Sequence, residues 1–371
     1  MPIKKLFEKT KINQVVLKNR FVRSATWEGL ANPDGSCNKR ISEMMVDLAR
    51  GEVGLIISSH SYVNPIGQAG NGQLGIYDDN LIDSYQKMVK KVHEEGSKII
   101  MQISHAGGRA ISRSNRKRPI GPSPLEIKGY SCREMAIHEI EQTVNDFTAA
   151  AVRAKKAGFD GIQIHGAHGF LLNQFLSPFF NKRSDNYGGK IENRARIILE
   201  ILNSIRNVSG NKFAIIIKLN SDDFLDGGFT PEEMVEVSLL LEKAGIDAIE
   251  LSGGSSISKY SSSRIGRIDR PEEEVYYRDA AKLYKESLKV PLILVGGIRS
   301  FQVAQELIEQ NLADYIALCR PLIREPQLIK RWHSGDIRKA TCIYCNQCFI
   351  PARAGEGLYC VQEALLNKKK K

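Results

Sequence analysis

The chain has 371 residues, 42% hydrophobic and 26% charged, enough to bury a substantial core as one large domain or two ordinary ones. Its 53 Lys and Arg against 42 Asp and Glu give a net charge of +11, four charges of which sit in the terminal run Lys368 to Lys371; the other basic stretch, Arg113, Arg116, Lys117 and Arg118, has no aromatic residue interleaved to stack on bases, so no nucleic acid partner is expected. No apolar run is long enough to cross a bilayer and the start, MPIKKLFEKTKINQ, lacks the apolar core of a signal peptide, so a soluble, cytoplasmic protein with no membrane partner is expected.

In chain order, eight short apolar runs read as buried parallel strands: 21–26, 54–58, 98–104, 161–165, 214–220, 248–252, 292–295 and 315–319. Helical stretches follow them, with apolar residues at three- and four-residue intervals over 82–95, 138–157, 191–207, 231–244 and 301–310. In EEGSKIIMQI, KKAGFDGIQI and EKAGIDAIEL a Gly stands after a charged helix end and before the next strand, as a C-cap does. Thr230-Pro231-Glu232-Glu233 is a helix start, with a capping hydroxyl, Pro in the first turn and carboxylates at the positive end of the dipole. Eight strand-then-helix units predict an α/β fold, a closed (β/α)8 TIM barrel with a short C-terminal cysteine-rich extension. The alternative, an open doubly wound sheet, lacks its Gly-rich turn, because Ser24-Ala25-Thr26-Trp27 follows the first strand. Residues 1–335 are read as the barrel domain and 336–371 as the cysteine extension and basic tail, and long loops over 105–136, 166–190 and 253–270 build up one face.

The strand ends carry a coherent polar set. His165 and His168, three residues apart past the fourth strand, can bind one oxyanion or carbonyl. A metal site is the rival reading, but two histidines do not complete a shell and no Glu follows at zincin spacing. Gln102 can donate to and accept from the edge of a pyrimidine-like ring, and Lys218 can place positive charge beside an anionic ring. Gly296-Gly297 and Cys319-Arg320, ending the last two strands, offer bare amides and a guanidinium for a phosphate, so the pattern suggests a mononucleotide.

With these motifs the chain resembles the old yellow enzyme family of flavin oxidoreductases. The likeness runs from Leu17-Lys18-Asn19-Arg20 to Arg324-Glu325-Pro326, through Gln102-Ile103-Ser104-His105-Ala106-Gly107, His165-Gly166-Ala167-His168-Gly169, Leu172 to Pro178 and Asn181 to Arg194. The resemblance implies an FMN-binding barrel in which Ala25, Thr26 and His60 line the flavin, Gln102 meets its pyrimidine edge, Lys218 sits near N1 and O2, and Gly296, Gly297, Cys319 and Arg320 hold the phosphate. It further implies that NAD(P)H reduces the flavin, that hydride then passes to an alkene conjugated to a carbonyl in a small-molecule substrate, and that His165 and His168 hold that carbonyl. Two positions depart from the family. Phe170 replaces the Tyr that usually protonates the α carbon, which leaves Tyr62 or water to act instead. Trp27 stands where relatives have Thr, Cys or His; it either tunes the flavin or simply fills space.

Cys342, Cys345, Cys348 and Cys360 supply four thiols separated by two, two and eleven residues, a metal-site pattern rather than a disulfide framework. Four thiolates suit Zn or an iron-sulfur cluster, and C-x2-C-x2-C points toward ferredoxin-type ligation. A similar run in the dienoyl-CoA reductase and trimethylamine dehydrogenase branch implies a [4Fe-4S] cluster, although the spacing here differs by a residue. Relatives in that branch continue into further nucleotide-binding domains, so electrons are expected from NAD(P)H over the flavin or from a separate electron-transfer protein. The expected function is an FMN-dependent oxidoreductase of the ene reductase type. An amine dehydrogenase or demethylase passing electrons out through the cluster, and a non-catalytic flavin electron-transfer module, remain the alternatives; assembly into a homo-oligomer stays open.

Overall fold

The computed structural model describes residues 4–111, 118–268 and 270–369, so Arg113, Arg116 and Lys117 of the basic stretch and Lys370 and Lys371 of the tail lie outside the described residues. Eight strands, β1 (Phe21–Arg23), β2 (Leu55–Tyr62), β3 (Lys98–Ser104), β4 (Gly161–Gly166), β5 (Ala214–Asn220), β6 (Ala248–Ser252), β7 (Leu292–Leu294) and β8 (Tyr315–Leu318), pair in parallel in chain order. β8 closes the barrel on β1, with Ile316 opposite Phe21 and Leu318 opposite Arg23. The longer helices between them are α1 (Lys39–Arg50), α2 (Ile82–Glu94), α3 (Ile137–Lys156), α4 (Ile191–Ser209), α5 (Pro231–Lys243), α6 (Arg278–Ser287) and α7 (Phe301–Glu309).

The two-residue period of a strand sorts the barrel into layers. Ile99, Met101 and Ile103 of β3, Ile162 and Ile164 of β4, and Ile215, Ile217 and Leu219 of β5 face the helices and form one core with them. The alternate residues, among them Ile57, Ile100, Ile216, Ala248, Ile293 and Ala317, fill the lower barrel together with Ile12, Val15 and Leu17. Those last three belong to an N-terminal hairpin, Thr10–Ile12 with Val15–Leu17, which plugs the bottom and which periodicity did not reveal. Two residues further up the same inward face stand Gln102, Gln163, Lys218 and Glu250, where the lining turns polar.

The predicted helix ends have the expected chemistry. Gly96, Gly158 and Gly245 adopt φ of +73°, +90° and +81° just past α2, α3 and α5, a left-handed turn that costs Gly nothing. Thr230 Oγ1 accepts from Glu233 N at 3.3 Å while Glu233 Oε2 accepts from Thr230 N at 3.4 Å, a reciprocal cap on α5. The loop after β3 is not bare: Ile120–Gly121, Leu125–Ile127 and Tyr130–Glu134 form a small sheet.

The cysteine extension folds back onto the barrel. Its Cys348, Ala352 and Leu358 pack with Trp27, Met44 and Ile323, Tyr344 Oη donates to Ile298 O at 2.9 Å, and Arg299 Nη2 donates to Ala340 O at 2.6 Å. No helix among the described residues is long and apolar enough to cross a membrane.

Candidate active site

A cavity of about 820 Å³ opens at the C-terminal ends of the strands. The structure brings together in its lining Ala25, Thr26, His60, Gln102, His165, His168, Lys218, Gly296, Gly297, Cys319 and Arg320. Tyr62 is not among the lining residues, which corrects the expectation that it reaches the reacting carbon. β2 runs past the predicted end at Ser58 to Tyr62, with an irregular register between Ile57 and His60. Its last residue pairs with the Leu74 to Ile76 segment, and the Tyr62 ring stacks on Tyr77 with centroids 5.2 Å apart while its hydroxyl donates to Asp34 O at 3.3 Å. His105, in the same motif as Gln102, is also turned away, its Nδ1 accepting from Gly107 N at 3.0 Å.

The cavity floor is a buried hydrogen-bonded chain anchored on one carboxylate. Glu250 Oε1 accepts from Ser24 Oγ at 2.6 Å and pairs with Lys218 Nζ at 3.1 Å, while its Oε2 accepts from Gln163 Nε2 at 2.7 Å. Lys218 and Glu250 are 2% and 0% exposed, so each charge depends on the other for its stability in the interior. Because a carboxylate only accepts, Gln163 presents its amide nitrogen to Glu250 and its oxygen to Gln102 Nε2, 2.7 Å away. Gln102 therefore keeps its own carbonyl oxygen for a ligand's N–H. Ser24, Gln163 and Glu250 are members of this chain that reading strand ends missed. Their signal was parity: Gln163 and Glu250 interrupt apolar strands on the inward face, and Ser24 continues that face one residue past β1.

The second histidine is held from three sides. His168 sits at φ +61°, its N–H donating to Asn220 Oδ1 at 3.1 Å, its carbonyl accepting from Arg109 Nη1 at 2.7 Å and its Nε2 bonded to Ser252 Oγ at 2.7 Å. That left-handed turn sets the imidazoles 5.3 Å apart at 80° on one cavity wall. His165 Nδ1 is buried with no hydrogen-bond partner among the described residues. Burial, then neighbouring cations and imidazoles, hold both rings well below the ordinary histidine range, and His60 is pushed down to about 3 by burial, Arg109 and Lys218. All three are neutral near pH 7 and act as hydrogen-bonding groups rather than cations. Phe170 packs on His165 with centroids 4.4 Å apart and on His60 at 5.3 Å, closing the wall with an apolar face.

The other end suits a phosphate. Gly296 and Gly297 adopt φ of +117° and +75°, and a Cβ at either would strike the rings of Tyr277 or Tyr276 within 2.8 Å. Arg320 Nη1 donates to Asn346 Oδ1 at 2.6 Å and to Arg264 O at 2.7 Å, and the guanidinium lies 4.4 Å over the Tyr344 ring. Arg264, which the sequence did not single out, inserts its own guanidinium among Tyr260, Tyr276, Phe224 and Tyr277, at 4.6, 4.7, 5.1 and 5.3 Å. This aromatic cage pins the loop after β6 across the cavity. Trp27 lines the cavity too, with its indole Nε1 buried and without a hydrogen-bond partner among the described residues.

Cys342, Cys345, Cys348 and Cys360 line one small second cavity with Arg320, which also lines the large one. Tyr344 and Asn346, between these cysteines, adopt φ of +56°, a conformation costly for such residues and common where backbone N–H groups turn inward around an anionic group. No group of three or more His, Cys, Asp or Glu side chains among the described residues is gathered closely enough to hold a metal ion.

Comparison with known proteins places this architecture. Residues 5–338 match the model of the NADH:flavin oxidoreductase / NADH oxidase family. The chain is 38% identical over 360 residues to the NADH oxidase of Thermoanaerobacter brockii, covering 95% of this chain and 54% of that protein. It is 34% identical over 328 residues to the NADPH dehydrogenase of Clostridium acetobutylicum, covering 88% and 93%. Among solved structures, 2-naphthoyl-CoA reductase in complex with 2-naphthoyl-CoA superposes with a TM-score of 0.88 at 29% identity, covering 96% of this chain and 56% of that one. The chain thus spans about half the length of two of these relatives and nearly all of the third. With a family match over nearly its whole length, the chain belongs to the NADH:flavin oxidoreductase / NADH oxidase family of FMN-dependent oxidoreductases.

Proposed function

We propose that this enzyme reduces a carbon–carbon double bond conjugated to a carbonyl in a small molecule, with NAD(P)H as the electron source. The observation that carries this reading is the pair of neutral imidazoles at the end of β4, facing a cavity whose floor presents an amide and a lysine and whose far end presents glycine amides and a guanidinium. Bound FMN supplies hydride. Gln102 and Lys218 would hold its ring, Ala25, Thr26 and His60 would line it, and Gly296, Gly297, Cys319 and Arg320 would take its phosphate; the unpaired Gln102 oxygen and the two glycine positions fit those parts.

His165 and His168 donate to the substrate carbonyl and bind it more tightly as negative charge develops there; one such donor is typically worth about 3 kcal/mol. Their neutrality matters, because a neutral N–H strengthens its bond to a growing oxyanion without surrendering its proton. Phe170 excludes water from the histidine face and delivers no proton, so the α carbon takes its proton from solvent at the cavity mouth. Cys342, Cys345, Cys348 and Cys360 are proposed to ligate a [4Fe-4S] cluster, which would exchange single electrons beside the flavin; all four line one small cavity next to Arg320, which supports this, and a cluster would have to draw the thiols closer together than they stand here. An electron-transfer protein as its partner, a cytoplasmic location and self-association follow only as proposals from the same reading.

Anaerobic spectra of the purified protein test the function. NADH or NADPH should bleach the flavin and 2-cyclohexenone should restore its colour, with His165→Ala, His168→Ala protein restoring it at least a hundredfold more slowly. Bleaching by a small amine alone, with no enone able to reoxidise the flavin, would replace this reading with an amine dehydrogenase.

A further inference from the structure

The walls of the large cavity carry Arg109, Lys218, Arg320 and Arg353 and not one Asp or Glu among the described residues. Three of these cations have evident roles or positions elsewhere. Lys218 is paired with buried Glu250, Arg320 stands at the phosphate end, and Arg353 lies exposed on the extension. Arg109 is different. It lies half-buried at the histidine end, where one of its nitrogens, Nη1, donates to His168 O at 2.7 Å and its Cζ stands 5.2 Å over Phe170 and 5.9 Å over Tyr130. No carboxylate among the described residues pairs with it. Its guanidinium is thus positioned by neutral groups only, and it lines the cavity together with His165 and His168.

A half-buried guanidinium without a counter-charge is electrostatically incomplete, and the group that completes it best is a planar anion that can take two parallel hydrogen bonds. We propose that Arg109 is an anion-binding, specificity-determining residue, and that the substrate class of this site is conjugated alkenes whose activating carbonyl belongs to a carboxylate. This inference rests on the proposed alkene reduction and adds the charge of the substrate. One carboxylate oxygen meets the histidines and the other meets Arg109. When hydride reaches the β carbon, the carbon–carbon double bond is lost, its electron pair moves onto the carboxylate, and the charge there grows from one to two. Neutral imidazoles alone offset that growth poorly; a fixed cation within reach offsets it well. A proton from solvent then adds at the α carbon, the saturated carboxylate leaves, and the two electrons are made good by NAD(P)H.

Benzoate and benzamide, equal in shape and different in charge, are titrated into the oxidised holoenzyme and followed by the change in flavin absorbance. The expected result is at least about tenfold tighter binding of benzoate, the gain typical of a charge-assisted pair. In Arg109→Gln that ratio should fall to near one, and Arg109→Lys should restore part of it, since Lys keeps the charge and loses the fork. Equal binding of the two probes by the native enzyme overturns the proposal. So does a loss shared equally by both probes in Arg109→Gln, because that result assigns Arg109 to holding His168 and nothing more. Turnover separates the two levels: reduction of 2-cyclohexenone but never of cinnamate sinks the substrate class and leaves alkene reduction standing. A benzoate preference that vanishes in Arg109→Gln, in an enzyme that reduces neither compound, keeps the anion site and removes the proposed reaction.

Discussion

Glu250→Gln changes one atom of the cavity floor and should damage both stability and cofactor binding. Three donors converge on the two Glu250 oxygens: Ser24 Oγ at 2.6 Å, Gln163 Nε2 at 2.7 Å and Lys218 Nζ at 3.1 Å. An amide accepts through one oxygen only, so its NH2 must face a donor, and Lys218 is left buried without its counter-charge. Breaking a buried pair in this way costs roughly 3 kcal/mol or somewhat more, which at about 2 °C per kcal/mol for a large chain lowers the melting temperature by about 6 °C. The second effect travels along the amides. If Gln163 turns its oxygen toward the new NH2, its nitrogen faces Gln102, and Gln102 must turn its own oxygen inward to meet it. The group that remains for the flavin then has the wrong polarity, a mismatch worth roughly 1 to 3 kcal/mol, or about a 5- to 150-fold weaker FMN complex. Thermal melts of apoprotein and quenching of FMN fluorescence on titration measure the two effects separately. The double variant Lys218→Met, Glu250→Leu should recover much of the stability, since no charge is stranded, without recovering FMN affinity. A Glu250→Gln protein that melts within a degree of the native one and binds FMN equally would refute the reasoning.

Four histidines at or near the cavity, His105 and His165 buried and His60 and His168 half-buried, should make the protein acid-labile. His60 and His105, pushed down to about 3 and about 4, and His165 and His168, held well below the ordinary value, all stay neutral in the folded state while they protonate near pH 6.5 when unfolded. The unfolded chain therefore binds more protons below pH 6.5, so the stability is full above that pH and is lost as pH falls toward the folded values; urea melts between pH 7 and 5 should show it, and His105→Gln should reduce the slope by about one proton. Arg264→Ala should release FMN about thirtyfold faster, read as recovery of free-flavin fluorescence on dilution, because four ring contacts at roughly 0.5 kcal/mol each no longer pin the loop after β6; an unchanged release rate would show that the cage does not close the cavity. Iron and acid-labile sulfide in anaerobically prepared protein should each approach about four per chain and fall sharply in Cys342→Ser or Cys360→Ser. One zinc per chain, or no metal, would remove the cluster.

How much of this was legible beforehand follows from how far apart the interacting residues lie in the chain. A strand in a parallel barrel is buried on both faces and bounded by caps, so its apolar run stands out; β3, β5 and β6 match their expected bounds, and the helix ends marked by Gly96, Gly158 and Gly245 match theirs. The strand ends were legible for the same reason, since a closed barrel brings them to one rim whatever the loops do. Tyr62 failed because a β-irregularity and the returning Leu74 to Ile76 segment, not the period of the strand, decide where that ring goes. Glu250 was within reach of parity: an acid on the inward face of a strand beside inward Lys218 cannot remain unpaired in a dry interior, and register sets the two directly opposite each other. The Arg264 cage was out of reach. Its rings come from the loop after β5, from Arg264's own loop and from the stretch before α6, and only closure of the barrel determines that the three meet. Residues on one element share a period and can be read in sequence, whereas residues on three loops share only a place.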